Sequence, residues 1–489
     1  MLGIQSVKTT ALRPLEPLER DMVSVYDLLY DSLITIDDNY LPQPGLCESW
    51  EQGNNGKTWT FHLRSGVTFS DGTPLTAQDV VATAQHILDR ANDEGAQDKG
   101  YYANLNYFVD KITATNDTTV TIRAKRSYWG LLYALTFPIL PAAYVTADNP
   151  PGTGAYVVST FEPSNYLWLQ ANANWWQNLP QVREIMIICH NTPGAVIESY
   201  EYARVDAIFT RSVSAAQYRS GTTAVSMDYR TNQLETLLMN HSASKLSSIN
   251  VRKAIRYAID VDKIAATVYM GMVKRTDTPA IPGSWMYNNN LGAYFVTDPD
   301  AARTLLSEDG WYDSNEDGIL DRVDGKGELE KLSLRLDVYE EPDNNVRVEA
   351  ANQIAEALAA VGIECTVSVR TMADMERRLK AGNFDLALTS FAMDVCPDFG
   401  FLLMKNNTGN YGRYNSNDMD ALCKELRSKT DQASFADTLY KIQTKFAEDC
   451  PFMCLYYRAG TVLTRRMYTT VRDVRELELL RGIDSFRSN

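Results

Sequence analysis

The stretch Trp59–Val80, WTFHLRSGVTFSDGTPLTAQDV, admits few local structures. Trp59, Phe61 and Leu63 alternate with Thr60 and His62, so three large apolar groups share one face of a strand and that face must be buried, with His62 on the solvent side. Asp71-Gly72 supplies a tight turn. Thr76 with Asp79 three residues on forms a capping box, opening a helix that buries Val80, Ala84, Ile87 and Leu88. Strand, turn and helix follow from these residues, but no chemistry does.

Similar patterns recur along the chain. Asn250–Asp260 places Val251, Ile255, Ala258 and Ile259 at the spacing of an amphipathic helix. Asp298-Pro299 caps and starts a helix through Leu305 and Leu306 that stops at Gly310. Val348, Ala351, Ile354, Leu358 and Val361 form the apolar face of another helix, which ends at Gly362 before an alternating strand from Ile363 to Val369. Strands alternating with helices predict an α/β fold with a largely parallel sheet. The uncharged run Ser127–Ala147 has about the 20 residues of a membrane span, but Pro138 and Pro141 would break the helix that lipid demands. A buried helix followed by a turn is predicted there instead.

A length of 489 residues accommodates about three units of roughly 150 residues each. The net charge of -15 disfavours nucleic acid and anionic membrane surfaces as partners, since both repel an acidic protein. Seven cysteines form no CxxC pair, which removes support for zinc ribbons and thioredoxin chemistry. Cys450 and Cys454 lie near enough in sequence to pair in an oxidising compartment, and the odd count leaves at least one thiol free. Most of the cysteines are expected to be packing residues. Met1-Leu-Gly-Ile-Gln-Ser-Val has neither the basic start nor the apolar core of a signal peptide, and a strand from Leu2 to Val7 is expected almost at once. Either the chain is cytosolic or a signal has been removed; removal is expected.

Enzymatic motifs fail on spacing. Gly56-Lys57-Thr58 lacks the glycine of a phosphate loop at Glu51 and precedes a strand. Val157 stands where a third dinucleotide-loop glycine would follow Gly152 and Gly154, which need only be turn glycines. The four histidines show no HExxH pattern, and no Gly-x-Ser-x-Gly elbow occurs. Paired acid catalysts among 62 carboxylates are invisible to sequence, so a secreted hydrolase stays as a remote alternative. One metal candidate follows from spacing: Asp313, Asn315, Asp317, Ile319 (through its carbonyl), Asp321 and Asp324 fit the calcium-loop template around Gly318. The template's last Glu is replaced by Asp, and a plain solvated turn is the alternative.

Trp-x-Phe-x-Leu-Arg-x-Gly-Val-x-Phe-x-Asp-Gly-Thr-Pro-Leu-Thr-Ala-x-Asp-Val from Trp59 to Val80 resembles the signature of the family 5 extracellular solute-binding proteins, the peptide and nickel class of receptors that feed ABC importers. The likeness extends over nearly the whole chain. Tyr30-Asp31-Ser32-Leu33 with Leu41–Leu46 and Trp50, Pro151–Tyr156, Asn172–Trp176, Val251–Asp260, Tyr411–Asn415 and Pro451–Tyr456 are all similar to family segments.

The resemblance implies a two-lobed clamp of the periplasmic-binding-protein type, class II or cluster C, with an additional α+β domain. Residues 1–40, 150–235 and 457–489 would form one lobe, 41–149 the extra domain within it, and 236–456 the second lobe. It implies capture of a solute, oligopeptides first, by closure of the lobes, with delivery to ABC permease subunits in the membrane. It further implies a monomer outside the cytoplasm, lipid-anchored, with no required cofactor. A peptide sensor of the same fold, or a binder of nickel chelates, opines or oligosaccharides, stays open. Asp394 takes the position of the family aspartate that pairs with a peptide α-ammonium, and a fixed carboxylate in a dry cleft gains about 1.5–3 kcal/mol from such a bond. Phe391, where the family has tryptophan, Met393, Tyr411 and Arg413 complete the implied contact set. A surface loop acid for Asp394 and a solvated loop arginine for Arg413 are the alternatives.

Overall fold

The computed structural model describes residues 1–489 except 17–18, 97, 220–223, 324–326, 342–344, 466–467, 470–473, 477, 483–486 and 489. The chain divides into two compact units. The first comprises 1–231, 427–432 and 459–489, and the second 232–426 and 433–458. The chain passes between them four times, twice inside the long strands Val225–Met239 and Phe452–Thr464 and twice at the ends of the short segment 427–432.

In the first unit, strand Leu2–Gln5 lies parallel to both Glu184–His190 and Ala207–Thr210. The hairpin Tyr156–Glu162 and Tyr166–Ala171 extends this sheet antiparallel, and Thr461–Thr464 closes its other side against Ala207–Thr210. A separate four-stranded sheet runs in the order Cys47–Gly53, Thr58–Leu63, Thr119–Ala124, Val109–Asn116. Its strand Thr58–Leu63 carries the expected alternation: Trp59, Phe61 and Leu63 are buried, and His62 is partly exposed, 3.9 Å from Glu51. Removing such side chains from water contributes about 1.5–3 kcal/mol each. The capping box is formed, with the Thr76 amide donating to Asp79 Oδ2 at 2.8 Å. Helix Ala77–Asn92 then packs Val80, Ala84, Ile87 and Leu88 inward.

The run after Ser127 becomes a fully buried 3₁₀ helix, Trp129–Leu135. Pro138 and Pro141 follow it and prevent its continuation. No helix among the described residues is long and apolar enough to cross a membrane. Gly152 and Gly154 do more than turn the chain. A Cβ at Gly152 would stand 2.0 Å from the Leu29 carbonyl oxygen and one at Gly154 2.5 Å from that of Leu28, so glycine lets this segment lie against the end of helix Arg20–Leu29.

In the second unit the strand order is Glu364–Arg370, Ser333–Tyr339, Leu386–Ala392, Val225–Met239, Phe452–Thr464, with Val273–Arg275 pairing the last. Ser333–Tyr339 is parallel to both its neighbours, joined through helices Val346–Ala359 and Met372–Ala381. Gln233–Met239 runs antiparallel to Leu386–Ala392. The sheet is therefore mixed rather than largely parallel, because only helical crossovers impose parallel neighbours. Helices Ile249–Ala258 and Pro299–Glu308 pack together, the latter capped by Asp298 Oδ1 accepting from the Ala301 amide at 2.9 Å. None of the seven cysteines is in a disulfide; Cys450 gives its thiol to the Arg252 carbonyl, so the anticipated option of a Cys450–Cys454 bond is not used.

Candidate ligand-binding site

Strand Leu386–Ala392 begins fully buried and emerges at its end, leaving Ser390 and Phe391 half-buried. The Phe391 ring stacks on Tyr411 at 6.2 Å between centroids and 16° between planes, and meets Phe401 edge-on at 6.2 Å. These half-buried rings form an apolar platform at the end of the strand. Met393 is buried and donates its amide to the Asn232 carbonyl at 2.8 Å, which fixes the chain just past the platform. Asp394 is exposed, and its Oδ1 accepts from the Cys396 amide at 3.2 Å, a local turn that orients the carboxylate. Arg413 is directed elsewhere: left-handed at φ 60°, it donates Nη2 to the Lys380 carbonyl at 2.9 Å, at the C-terminus of helix Met372–Ala381. The structure thus brings Phe391 and Tyr411 together and commits Arg413 to a helix end.

A second group of polar side chains in this unit escaped sequence reasoning. Glu235 and Arg347 are fully buried, and Arg347 donates Nε and Nη2 to the Glu235 carboxylate at 3.1 and 2.7 Å. Arg458 donates Nε to Glu235 Oε1 at 2.7 Å. Both arginines turn their Nη1 groups to Glu341, at 2.8 Å from Arg347 and 2.9 Å from Arg458. The Tyr339 ring lies 3.9 Å from the Arg347 guanidinium carbon. Burial alone would push the Glu235 carboxyl up, but Arg458 and Arg347 outweigh it and hold it below its ordinary value. One signal was available: Glu235 interrupts the apolar strand run Leu234–Met239. Its partners were not, because Arg347 flanks the helix face that the apolar spacing assigned to Val348.

The aspartate loop is tied by its own backbone. Asp313 accepts from the amides of Asp317 and Gly318 at 3.0 and 2.9 Å, Asn315 from that of Asp317 at 3.1 Å, and Asp317 from that of Ile319 at 3.0 Å. Lys331 pairs with the Asp317 carboxylate, and buried Asp321 accepts the Ser314 hydroxyl at 2.7 Å. Asp324 lies outside the described residues. Among the described residues no three His, Cys, Asp or Glu side chains are arranged to hold a metal ion.

The first unit carries a charged groove of about 560 Å³, lined among others by Arg13, Glu19, Arg20, Asp21, Tyr26 and Arg211. Its charges are mutually engaged: Arg211 pairs with Asp21 at 2.7 Å and Arg20 with Glu476. Glu19 accepts the amides of Val7, Lys8 and Thr9 at 2.8, 2.9 and 3.0 Å and the hydroxyls of Ser6 and Thr9 at 2.7 and 2.6 Å. Partial burial opposes its ionisation, but these five donors prevail and lower its pKa to about 2.

The sequence profile described as "Bacterial extracellular solute-binding proteins, family 5 Middle" matches residues 42–413. The chain belongs to this family. Family 5 is one of extracellular solute-binding proteins. The oligopeptide-binding protein AppA of Bacillus subtilis is 24% identical over 461 residues, covering 88% of this chain and 81% of the relative. The heme-binding protein A of Haemophilus influenzae is 23% identical, covering 86% of this chain and 79% of that protein. Among solved structures, HbpA2 from Haemophilus parasuis superposes with a TM-score of 0.84 at 19% identity, over 100% of this chain and 99% of that one. AppA from Bacillus subtilis, in complex with a nonapeptide, gives 0.72 at 21% identity over 100% and 98% of the two chains. These likenesses establish the two-lobed α/β fold of this family member.

Proposed function

We propose that this family 5 protein captures oligopeptides outside the cytoplasm and delivers them to the membrane subunits of an ABC importer, as a lipid-anchored monomer. It makes and breaks no covalent bond. The observation that carries the reading is the exposed carboxylate of Asp394 three residues beyond the Phe391–Tyr411 stack. A carboxylate held by a turn suits the α-ammonium of a peptide, and the aromatic faces suit its side chains without selecting among them. The relative named for oligopeptide binding, which spans most of this chain, supports the same cargo.

Native mass spectrometry of the purified protein, followed by denaturation and identification of what is released, tests the cargo. A ladder of peptide masses is expected, and a single repeated non-peptide mass would overturn the reading. Titration with Ala-Ala-Ala against its N-acetylated form tests the anchor. Asp394→Ala should weaken the free-amine peptide by about tenfold and leave the acetylated one unchanged, whereas equal affinities for wild type and variant would remove Asp394 from the site.

A further inference from the structure

Arg347 and Arg458 present two guanidiniums side by side with one edge of each already satisfied. Their inner edges rest on Glu235, which is wholly buried, and their outer Nη1 groups converge on the two oxygens of one other carboxylate, Glu341. Arg347 Nη2 lies a further 3.4 Å from Ser390 Oγ, and the Tyr339 ring backs its guanidinium plane. Neither arginine is placed by Glu341 alone. Glu235 neutralises one of the two positive charges, and the second is directed to the side on which Glu341 sits.

Glu341 differs from Glu235 in access. Its side chain is 18% exposed against 0% for Glu235, and it follows strand Ser333–Tyr339 instead of lying within a long strand of the sheet. A fork of one carboxylate between two arginines is the arrangement that a free peptide C-terminus would adopt there. Exchanging one carboxylate for another preserves the local charge balance, whereas a neutral amide in the same place would leave a partly buried cation unpaired. We propose that Arg347 and Arg458 form a carboxylate receptor and that Glu341 is its internal occupant, displaced by the terminal carboxylate of a bound peptide. The identity of the displacing ligand rests on the peptide-binding reading above; the receptor itself does not.

The test uses the full chain with Glu341→Gln, a near-isosteric change. Sodium propionate, compared with sodium chloride at equal ionic strength, should raise the melting temperature of the variant and leave wild type unmoved. Ala-Ala-Ala should bind the variant about tenfold more tightly than wild type, and its C-terminal amide should bind both alike. If Glu341→Gln shows no response specific to propionate, the receptor is refuted whatever the peptides do. If propionate acts but no peptide binds either protein, the receptor stands and the oligopeptide reading fails. Should Glu341→Gln not fold, Glu341→Asp keeps the charge with a shorter reach and should show the same order of effects at smaller size, and its absence would equally overturn the proposal.

Discussion

Glu235 and Arg347 stand 112 residues apart in sequence and meet at 2.7 Å with both side chains shut off from solvent. A lone charge in such a place is far more costly than the pair. Glu235→Leu should therefore destabilise the protein by about 3–5 kcal/mol, and Glu235→Leu combined with Arg347→Met should recover most of that loss. Chemical denaturation of the two variants checks this, and a single variant as stable as wild type would show that the pair contributes nothing.

Glu19 sets an acid limit on the first unit. Its folded pKa is lowered to about 2, so the stability it contributes is fully present above its unfolded value and is lost as pH falls toward 2. Melting temperatures of wild type and Glu19→Gln should differ most above about pH 5 and converge as the solution is acidified. A gap that stays constant from neutral pH down to pH 2.5 would mean that the five donors do not select the charged carboxylate.

Gly152 tests a close approach. A methyl group there would press on the backbone oxygen of Leu29, which has no side-chain freedom to yield. Gly152→Ala is expected to cost about 1–3 kcal/mol by strain, measurable as a lowered unfolding midpoint at unchanged denaturant dependence. The contrasting control is Gly292→Ala, where a Cβ would meet nothing within 4 Å.

The thiols should be present but slow. Burial pushes the Cys189 thiol up to about 11 and that of Cys365 up to about 12, and the other five cysteines are buried outright. A thiol reagent at pH 8 should label the native protein only sluggishly and count seven groups per chain after denaturation. A denatured count of five would reveal a disulfide.

Much of the local structure was legible because it depends on near neighbours. The alternation of Trp59, Phe61 and Leu63, the box of Thr76 with Asp79, and the faces of the helices at 250–260 and 298–310 are decided within a turn or two of chain. The resemblance at Trp59–Val80 and along the rest of the chain carried the family and its fold. Strand direction is not legible in the alternation of strands with helices: helical crossovers make Ser333–Tyr339 parallel to its neighbours, but Gln233–Met239 runs the other way. The apolar stripe through Ala351, Ile354 and Leu358 is written in the residue spacing, while nothing local marks Arg347, one position before Val348, because charge at a helix edge normally means solvent.

What the sequence by itself determined is therefore the set of segments whose hydrophobic period and caps leave one choice, together with the family they resemble. Tertiary structure alone decided that Arg413 closes a helix end, that Gly152 lies against Leu29, and that Glu235, Arg347, Arg458 and Glu341 form one charge cluster. The reason is physical. Periodicity records which side of an element is dry, but the partner of a buried charge is fixed by geometry among residues more than 100 positions apart, and no local pattern encodes that distance.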